Sequence, residues 1–274
     1  GILFPPNLLP FNTKPTLAGN PTNIVVDSKS AYLIHTANYN DFLILNGGVR
    51  FDDYRISAIT PAAALAQFAG VAAGNPFSNY AFNHSALVNY NGNVMVKPLP
   101  WLGVYAAYAT AANPVGAELD GTTAAYGGLN SSAQIFSPEK IKAIEVGSKA
   151  ELLDRRLLLT AALFQTTKTN AREVVGANVY ANAAYQVQGI DLAATGKITD
   201  RWSIMGGLVF MRSKILNSVA PSNKGLSLAN IAHASFSLLS KYQLTDAWEV
   251  GGQAVYNARR YGGSLLAANG GTAI

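Results

Sequence analysis

Residues Ser137 to Ala171 read SPEKIKAIEVGSKAELLDRRLLLTAALFQTTKTNA, two long alternating runs with almost nothing between them. In the first run Ile144, Val146, Ser148, Ala150 and Leu152 fall on one side, and Glu145, Gly147, Lys149 and Glu151 on the other. That is the period of two expected of a strand. The turn is Asp154 and Arg155 with their immediate neighbours, after which Leu157, Leu159, Ala161 and Leu163 lead on to about Thr169. Each arm is roughly 13 to 16 residues, against about 5 to 6 for an ordinary soluble strand. A hairpin of this length, apolar on one face and charged along the other, fits a barrel wall in lipid.

Composition supports the same reading. Hydrophobic residues make up 49% of the 274 and charged residues only 13%, and the mean hydropathy is +0.15. No breaker-free run of about 18 apolar residues is present to make a spanning helix. The apolar content is dispersed, as in strands that show lipid every second residue. There is no cysteine, which excludes a disulfide framework and thiolate metal sites. The chain opens GILFPPNLLPF, without a basic n-region or an apolar core suited to a leader, and its prolines up to Pro21 make that segment irregular.

Outward from the central hairpin, one unit repeats: strand, short turn, strand, long loop. Strands are expected at Val25–Thr36, Phe42–Ser57, His84–Lys97, Trp101–Ala112, Tyr185–Ile198, Trp202–Leu216, His233–Leu244 and Trp248–Tyr261, about ten with the central pair. In the third, Val88, Tyr90, Gly92, Val94 and Val96 alternate with Asn89, Asn91, Asn93, Met95 and Lys97. Asparagine is a poor strand former, so three in step require a wet face. Long loops are expected at Ala58–Asn83, Asn113–Pro138 and Asn217–Ile231, with a shorter excursion at Arg172–Asn182. Short turns and long loops then lie at opposite ends. Trp101, Trp202 and Trp248 each follow a short turn, which places an aromatic girdle at that end.

Sites of chemistry are sparse. His35, His84 and His233 are too scattered to argue a metal, and no acidic residue adjoins His84 or His233 in sequence to suggest a hydrolase. No G-x-S-x-G elbow, P-loop or dinucleotide fingerprint occurs, and no basic cluster is dense enough for nucleic acid. The pairs Gly47-Gly48, Gly206-Gly207 and Gly251-Gly252 lie inside strands and mark bends or close packing. Arg50 with Asp52, and Lys149 with Glu145 or Glu151, are placed to form charge networks on the wet face. The fold class is therefore all-β, a transmembrane antiparallel up-and-down barrel.

Several segments resemble one family. PEKIKAIEVGSKAELLDRRLLLTAALFQTTKTNAR, QVQGIDLAATGKITDRWSIMGGLVFMRSKIL (Gln186–Leu216), HASFSLLSKYQLTDAWEVGGQAVYNARRYG (His233–Gly262), LNGGVRFDDY (Leu45–Tyr54) and VKPLPWLGVYAAYATAANP (Val96–Pro114) are similar to barrel strands of TonB-dependent siderophore receptors of the catecholate type. The resemblance runs from about Asn20 to Gly262. It implies a barrel of about 22 strands around an N-terminal plug, import of ferric siderophore, and energy from the TonB complex acting on a box near the N-terminus. Residues 1–274 read as part of such a barrel, with the plug, the TonB box and the closing strands not seen. The resemblance further implies a receptor of the bacterial outer membrane, engaged in iron transport and not an enzyme. Iron is carried as its siderophore ligand with no cofactor of the protein's own, and outer-membrane lipid and lipopolysaccharide surround the wall. Residues at loop-side strand ends expected to meet the anionic ligand are Tyr54, Arg55, Lys168, Arg172, Arg212, Lys214, Arg259, Arg260 and Tyr261. Arginine presents a planar, permanently charged fork, and tyrosine can stack on a catechol ring. The alternative is a small stand-alone barrel, a passive porin or adhesin, closed by pairing its first and last strands.

Overall fold

The computed structural model describes residues 23–59, 80–117, 136–175 and 178–260. They form one antiparallel sheet of ten strands in sequence order: β1 (Asn23–Tyr39), β2 (Leu43–Ile59), β3 (Tyr80–Leu99), β4 (Leu102–Asn113), β5 (Glu139–Leu152), β6 (Leu157–Val175), β7 (Asn178–Lys197), β8 (Trp202–Asn217), β9 (Ala234–Gln243) and β10 (Glu249–Asn257). Strands β1 and β10 are the two edges of this order, so the self-closed ten-strand barrel is not what the described residues build.

The alternation expected from sequence is carried through the register. Opposite partners share a face, and the chain Ser30↔Asp52, Gly48↔Asn91, Met95↔Tyr105, Tyr105↔Gly147, Gly147↔Ala162, Ala162↔Asp191, Asp191↔Val209 threads one of them. That face holds the asparagines of β3 and the acidic residues of β5 and β7, and it is the inner, wet one. The other carries Val49, Val94, Val104, Val146, Leu163, Ile190 and Phe210, all large, apolar and exposed, as a lipid-facing wall requires. Fully buried side chains are few. A small cluster of Ile56, Ala58, Ala81 and Val115 sits at the loop end, with Ile24, Tyr54 and Phe136 against it.

The short turns are locally encoded. Asn40 and Asp41 take φ of 53° and 55° in the three-residue connection between Tyr39 and Leu43, left-handed values that Asn and Asp tolerate, and the Phe42 N–H donates to the Tyr39 carbonyl at 3.1 Å. The turns before Trp202 and Trp248 share one design. The Thr199 hydroxyl accepts from the Trp202 N–H at 3.0 Å, and the Thr245 hydroxyl from the Trp248 N–H at 3.1 Å. Gly196, at φ 134°, lies beside the β5–β6 turn, where an added Cβ would run into the Arg156 carbonyl oxygen.

One expected loop is strand instead. Residues assigned to an excursion at Arg172–Asn182 lie largely in β6 and β7, whose pairing continues through Ala171↔Ala183 and Glu173↔Tyr180 to Val175↔Asn178. The pairing slips twice there, between Lys168 and Glu173, which breaks the period-two signal that would have announced it. The strict short-long alternation therefore fails at this connection. Of the other long loops, the cores 60–79 and 118–135 lie outside the described residues, while 218–231 is irregular apart from a short 3-10 turn at Pro221–Asn223.

Candidate functional site

On the inner face two polar groups are built from residues distant in sequence, the first at mid-strand and the second at the loop end. In the first, the Arg50 guanidinium grips Asp52 through Nε and Nη2, at 2.9 and 2.7 Å, while Ser30 donates to the same carboxylate at 2.5 Å. Alternation puts Arg50, Asp52 and Tyr54 on one face of β2. They line a cavity of about 410 Å³ together with Ser28, Leu87 and Asn89. The Tyr54 hydroxyl reaches the Gly116 carbonyl at 3.5 Å.

The second group is centred on Glu139, which is 5% exposed. Lys168 Nζ lies 2.8 Å from its carboxylate, Asn113 donates at 3.0 Å and the Arg172 backbone N–H at 3.3 Å. Beyond it Glu173, 3% exposed, accepts from the Ser218 hydroxyl at 2.6 Å and the Val219 N–H at 2.8 Å. These carboxylates tie β4, β5, β6 and the segment after β8 together. Lower on the inner face Tyr105 donates to Glu145 at 2.6 Å, and its ring covers Gly147, where a Cβ would lie 2.7 Å from the ring. Lys149 sits over the same ring at 5.4 Å from its centre and, among the described residues, forms no ion pair with Glu145 or Glu151.

The residues expected at the mouth do not converge. Tyr54 and Lys168 are on the inner face, and Lys168 is neutralised by Glu139. Arg172 contributes its backbone to Glu139 and its charge near it. Arg55 faces outward and pairs with Asp53 at 3.1 Å. Arg212 and Lys214 also face outward, in step with Phe210 and away from the lumen. Arg259 and Arg260 are exposed just beyond β10, and Tyr261 lies outside the described residues. His84 is hydrogen-bonded to Asp53 on the outward face, an acidic partner that sequence proximity does not reveal. No group of three or more metal-ligating side chains forms among the described residues. Sequence reading missed Glu139 and Glu173: the signal for Glu139 was parity, since it is in step with Glu145 on the wet side of the same strand, whereas the slips between Lys168 and Glu173 erase that signal for Glu173.

The inner face can hold a polar ligand through fixed hydroxyls, amides and paired charges, and among its described residues no nucleophile is paired with a base. Residues 5–272 match the family model "TonB dependent receptor-like, beta-barrel". The chain is 31% identical to "Probable TonB-dependent receptor BfrD" of Bordetella pertussis over 89% of its length and 32% of the relative's. It is 30% identical to "Catecholate siderophore receptor Fiu" of Escherichia coli O157:H7 over 91% of its length and 34% of that protein. The crystal structure of the siderophore receptor PiuA from Acinetobacter baumannii superimposes with a TM-score of 0.78 at 27% identity, covering 88% of this chain and 34% of that one. The chain thus spans about a third of the length of the curated relatives it matches.

Proposed function

The chain belongs to the TonB-dependent receptor β-barrel family, and on that premise we propose that the protein containing it imports a ferric siderophore of the catecholate class. The family is one of transport receptors of the bacterial outer membrane. One observation carries the reading. A ten-strand wall with a wet inner face follows a solved siderophore receptor over 88% of the chain, and the likeness in sequence extends to a catecholate receptor over 91%. This chain supplies part of the wall and its loop-side rim, and performs no catalysis. Iron arrives and leaves as the ligand's own complex. The work of release comes from TonB acting on a plug elsewhere in the receptor. Outer-membrane lipid and lipopolysaccharide cover the outward face. Tyr54, Lys168, Arg172, Arg259, Arg260 and Tyr261 remain the rim groups for the ligand, whereas Arg55, Arg212 and Lys214 belong to the lipid side.

The test is uptake of radiolabelled iron as a monomeric catecholate complex by cells whose only catecholate receptor is the one carrying this chain. Uptake should vanish when TonB is removed, and replacing Arg259 and Arg260 by alanine should weaken binding of the complex. Uptake that persists without TonB and follows the concentration gradient would establish a passive pore instead.

A further inference from the structure

The outward face divides into two differently charged halves. On β1 to β3 the outward charges are Asp27, Lys29, Asp53, Arg55 and His84, and they neutralise one another: Lys29 lies 3.7 Å from Asp27, Arg55 lies 3.1 Å from Asp53, and His84 also meets Asp53. On β5 to β8 the outward charges are Lys140, Lys142, Arg212 and Lys214, all exposed, and none forms an ion pair among the described residues. Every acidic residue of β5 and β7 points inward. Among the described residues the outward face of β4 to β10 carries no carboxylate, so these four cations have no counterion there among the described residues.

Their placement follows the register. One row across four strands is Lys142↔Thr167↔Gln186↔Lys214, and the next is Ile144↔Gln165↔Gln188↔Arg212. The row after that is Val146↔Leu163↔Ile190↔Phe210, wholly apolar. The switch from cationic and amide-bearing to apolar is complete within one step of the pleat. The stacked pair Tyr90 and Tyr108, 5.9 Å between ring centres, stands beside this boundary, where aromatic residues mark a headgroup interface.

Two concavities flank the boundary. The upper, about 840 Å³, is lined by Tyr90, Thr110, Lys140, Lys142, Gln165 and Thr167. The lower, about 540 Å³, is floored by the small residues Ser148, Ala150, Ala161, Ala194 and Gly206 and walled by larger apolar ones. Gly206 keeps the floor low, since a Cβ there would lie 2.7 Å from the Ser237 carbonyl oxygen. The upper groove, over β3 to β6 with Lys140 and Lys142, and the apolar trough, over β5 to β9, meet along β5 and β6, and the outward row of Arg212 and Lys214 stands above the trough on β8, the imprint of an anionic amphiphile whose acyl chain runs down the wall. Lys142 and Lys214 are three strand spacings apart, about 14 Å at about 4.8 Å each, the scale of a disaccharide bearing a phosphate at either end.

We propose that the outward face of β5 to β8 binds one phosphorylated glycolipid of the outer leaflet, with its phosphates on Lys140, Lys142, Arg212 and Lys214 and an acyl chain in the trough between β5 and β9. This rests on the reading of the chain as outer-membrane wall, and deepens it by fixing which part of the wall is occupied. The lysines and arginine that lie at strand ends thus serve lipid and not siderophore.

The experiment is native mass spectrometry of the full receptor carrying this chain in mild detergent, titrated with hexa-acylated bisphosphoryl lipid A and, in parallel, with the same lipid freed of phosphate. The bisphosphorylated lipid should bind at least about tenfold more tightly, given that each basic residue near a charged surface contributes about a factor of five. Exchanging Lys140, Lys142, Arg212 and Lys214 for glutamine should abolish that preference, whereas Lys29→Gln with Arg55→Gln should leave it. Ala194→Trp, with all cations intact, should weaken both lipids by filling the trough. Equal binding of the two lipids to the unaltered receptor, or an undiminished preference in the fourfold glutamine variant, overturns the proposal without any question of misfolding in the first case. Uptake of ferric catecholate is read in the same strains. Absence of TonB-dependent uptake with the unaltered receptor would count against the transport reading and leave the lipid site standing, whereas equal binding of the two lipids would do the reverse.

Discussion

The two ends of the strands are held by different kinds of contact. At the turn end, each hairpin is closed by residues within three positions of one another: Asp41 N–H on the Asn38 side chain at 2.9 Å, and the Thr199 and Thr245 hydroxyls on the N–H groups that follow. At the loop end the fastenings are long-range, with Glu139 reaching Asn113 across 26 positions and Glu173 reaching Val219 across 46. The turn end is written in the local sequence, whereas the loop end is written in pairings that exist only once the sheet has formed. Loop-end residues are also the buried ones: Glu139 and Glu173 are nearly dry, while the turn residues are exposed.

Substitutions can test that contrast in unfolding of the intact receptor by denaturant. The largest loss is expected at Gly196→Val, which adds a β-branched side chain at positive φ against the Arg156 carbonyl. Left-handed strain alone costs about 1–3 kcal/mol and overpacking about 1–3 kcal/mol more. A shift no larger than that of a surface mutation would show that this turn end yields easily. Next comes Glu173→Ala, which strands the Ser218 hydroxyl and the Val219 N–H. Bonds to a charged group are worth about 1.5–3 kcal/mol, and hydrogen exchange at Val219 should accelerate while the turns stay protected. Thr245→Val should cost about 1 kcal/mol, with its effect confined to the β9–β10 hairpin and visible in Trp248 fluorescence. Smallest is Arg156→Gln, which removes an exposed pair with Asp200 at 2.5 Å. Such pairs contribute about 0–1 kcal/mol and fade in salt.

The same contrast governs what could be read from sequence. Strands β2, β3 and β5, their faces, the turns and the three tryptophans were legible because a period of two and a turn residue need only a short window. The network of Arg50 with Asp52 was legible for the same reason. Some strand ends were read short, since β1 reaches Tyr39 and β3 begins at Tyr80, and others long, since β9 is Ala234–Gln243 and β10 ends at Asn257. The paired stretch after Arg172 was read as loop, because slips between Lys168 and Glu173 erase the alternation. Arg55, Arg212 and Lys214 were placed by height along a strand, yet which face they take depends on parity within it. Arg212 is two residues from Phe210, so the outward side was available from the sequence once Phe210 was assigned to lipid. The partners of Glu139 and Glu173 could not be found that way, since nothing local marks Asn113 or Val219 as their neighbours.

Pairing in strict sequence order has a mechanical consequence. A load applied to the end of β10 bears on its ladder with β9, then on that of β9 with β8, so the wall peels one strand after another like a zip and cannot tear across. Force would rise where a cross-tie must also give, first where Glu173 clasps Ser218 and Val219, and then where Glu139 clasps Lys168 and Asn113. A pulling trace should therefore show a staircase of strand-length steps, with its tallest risers at those two carboxylates.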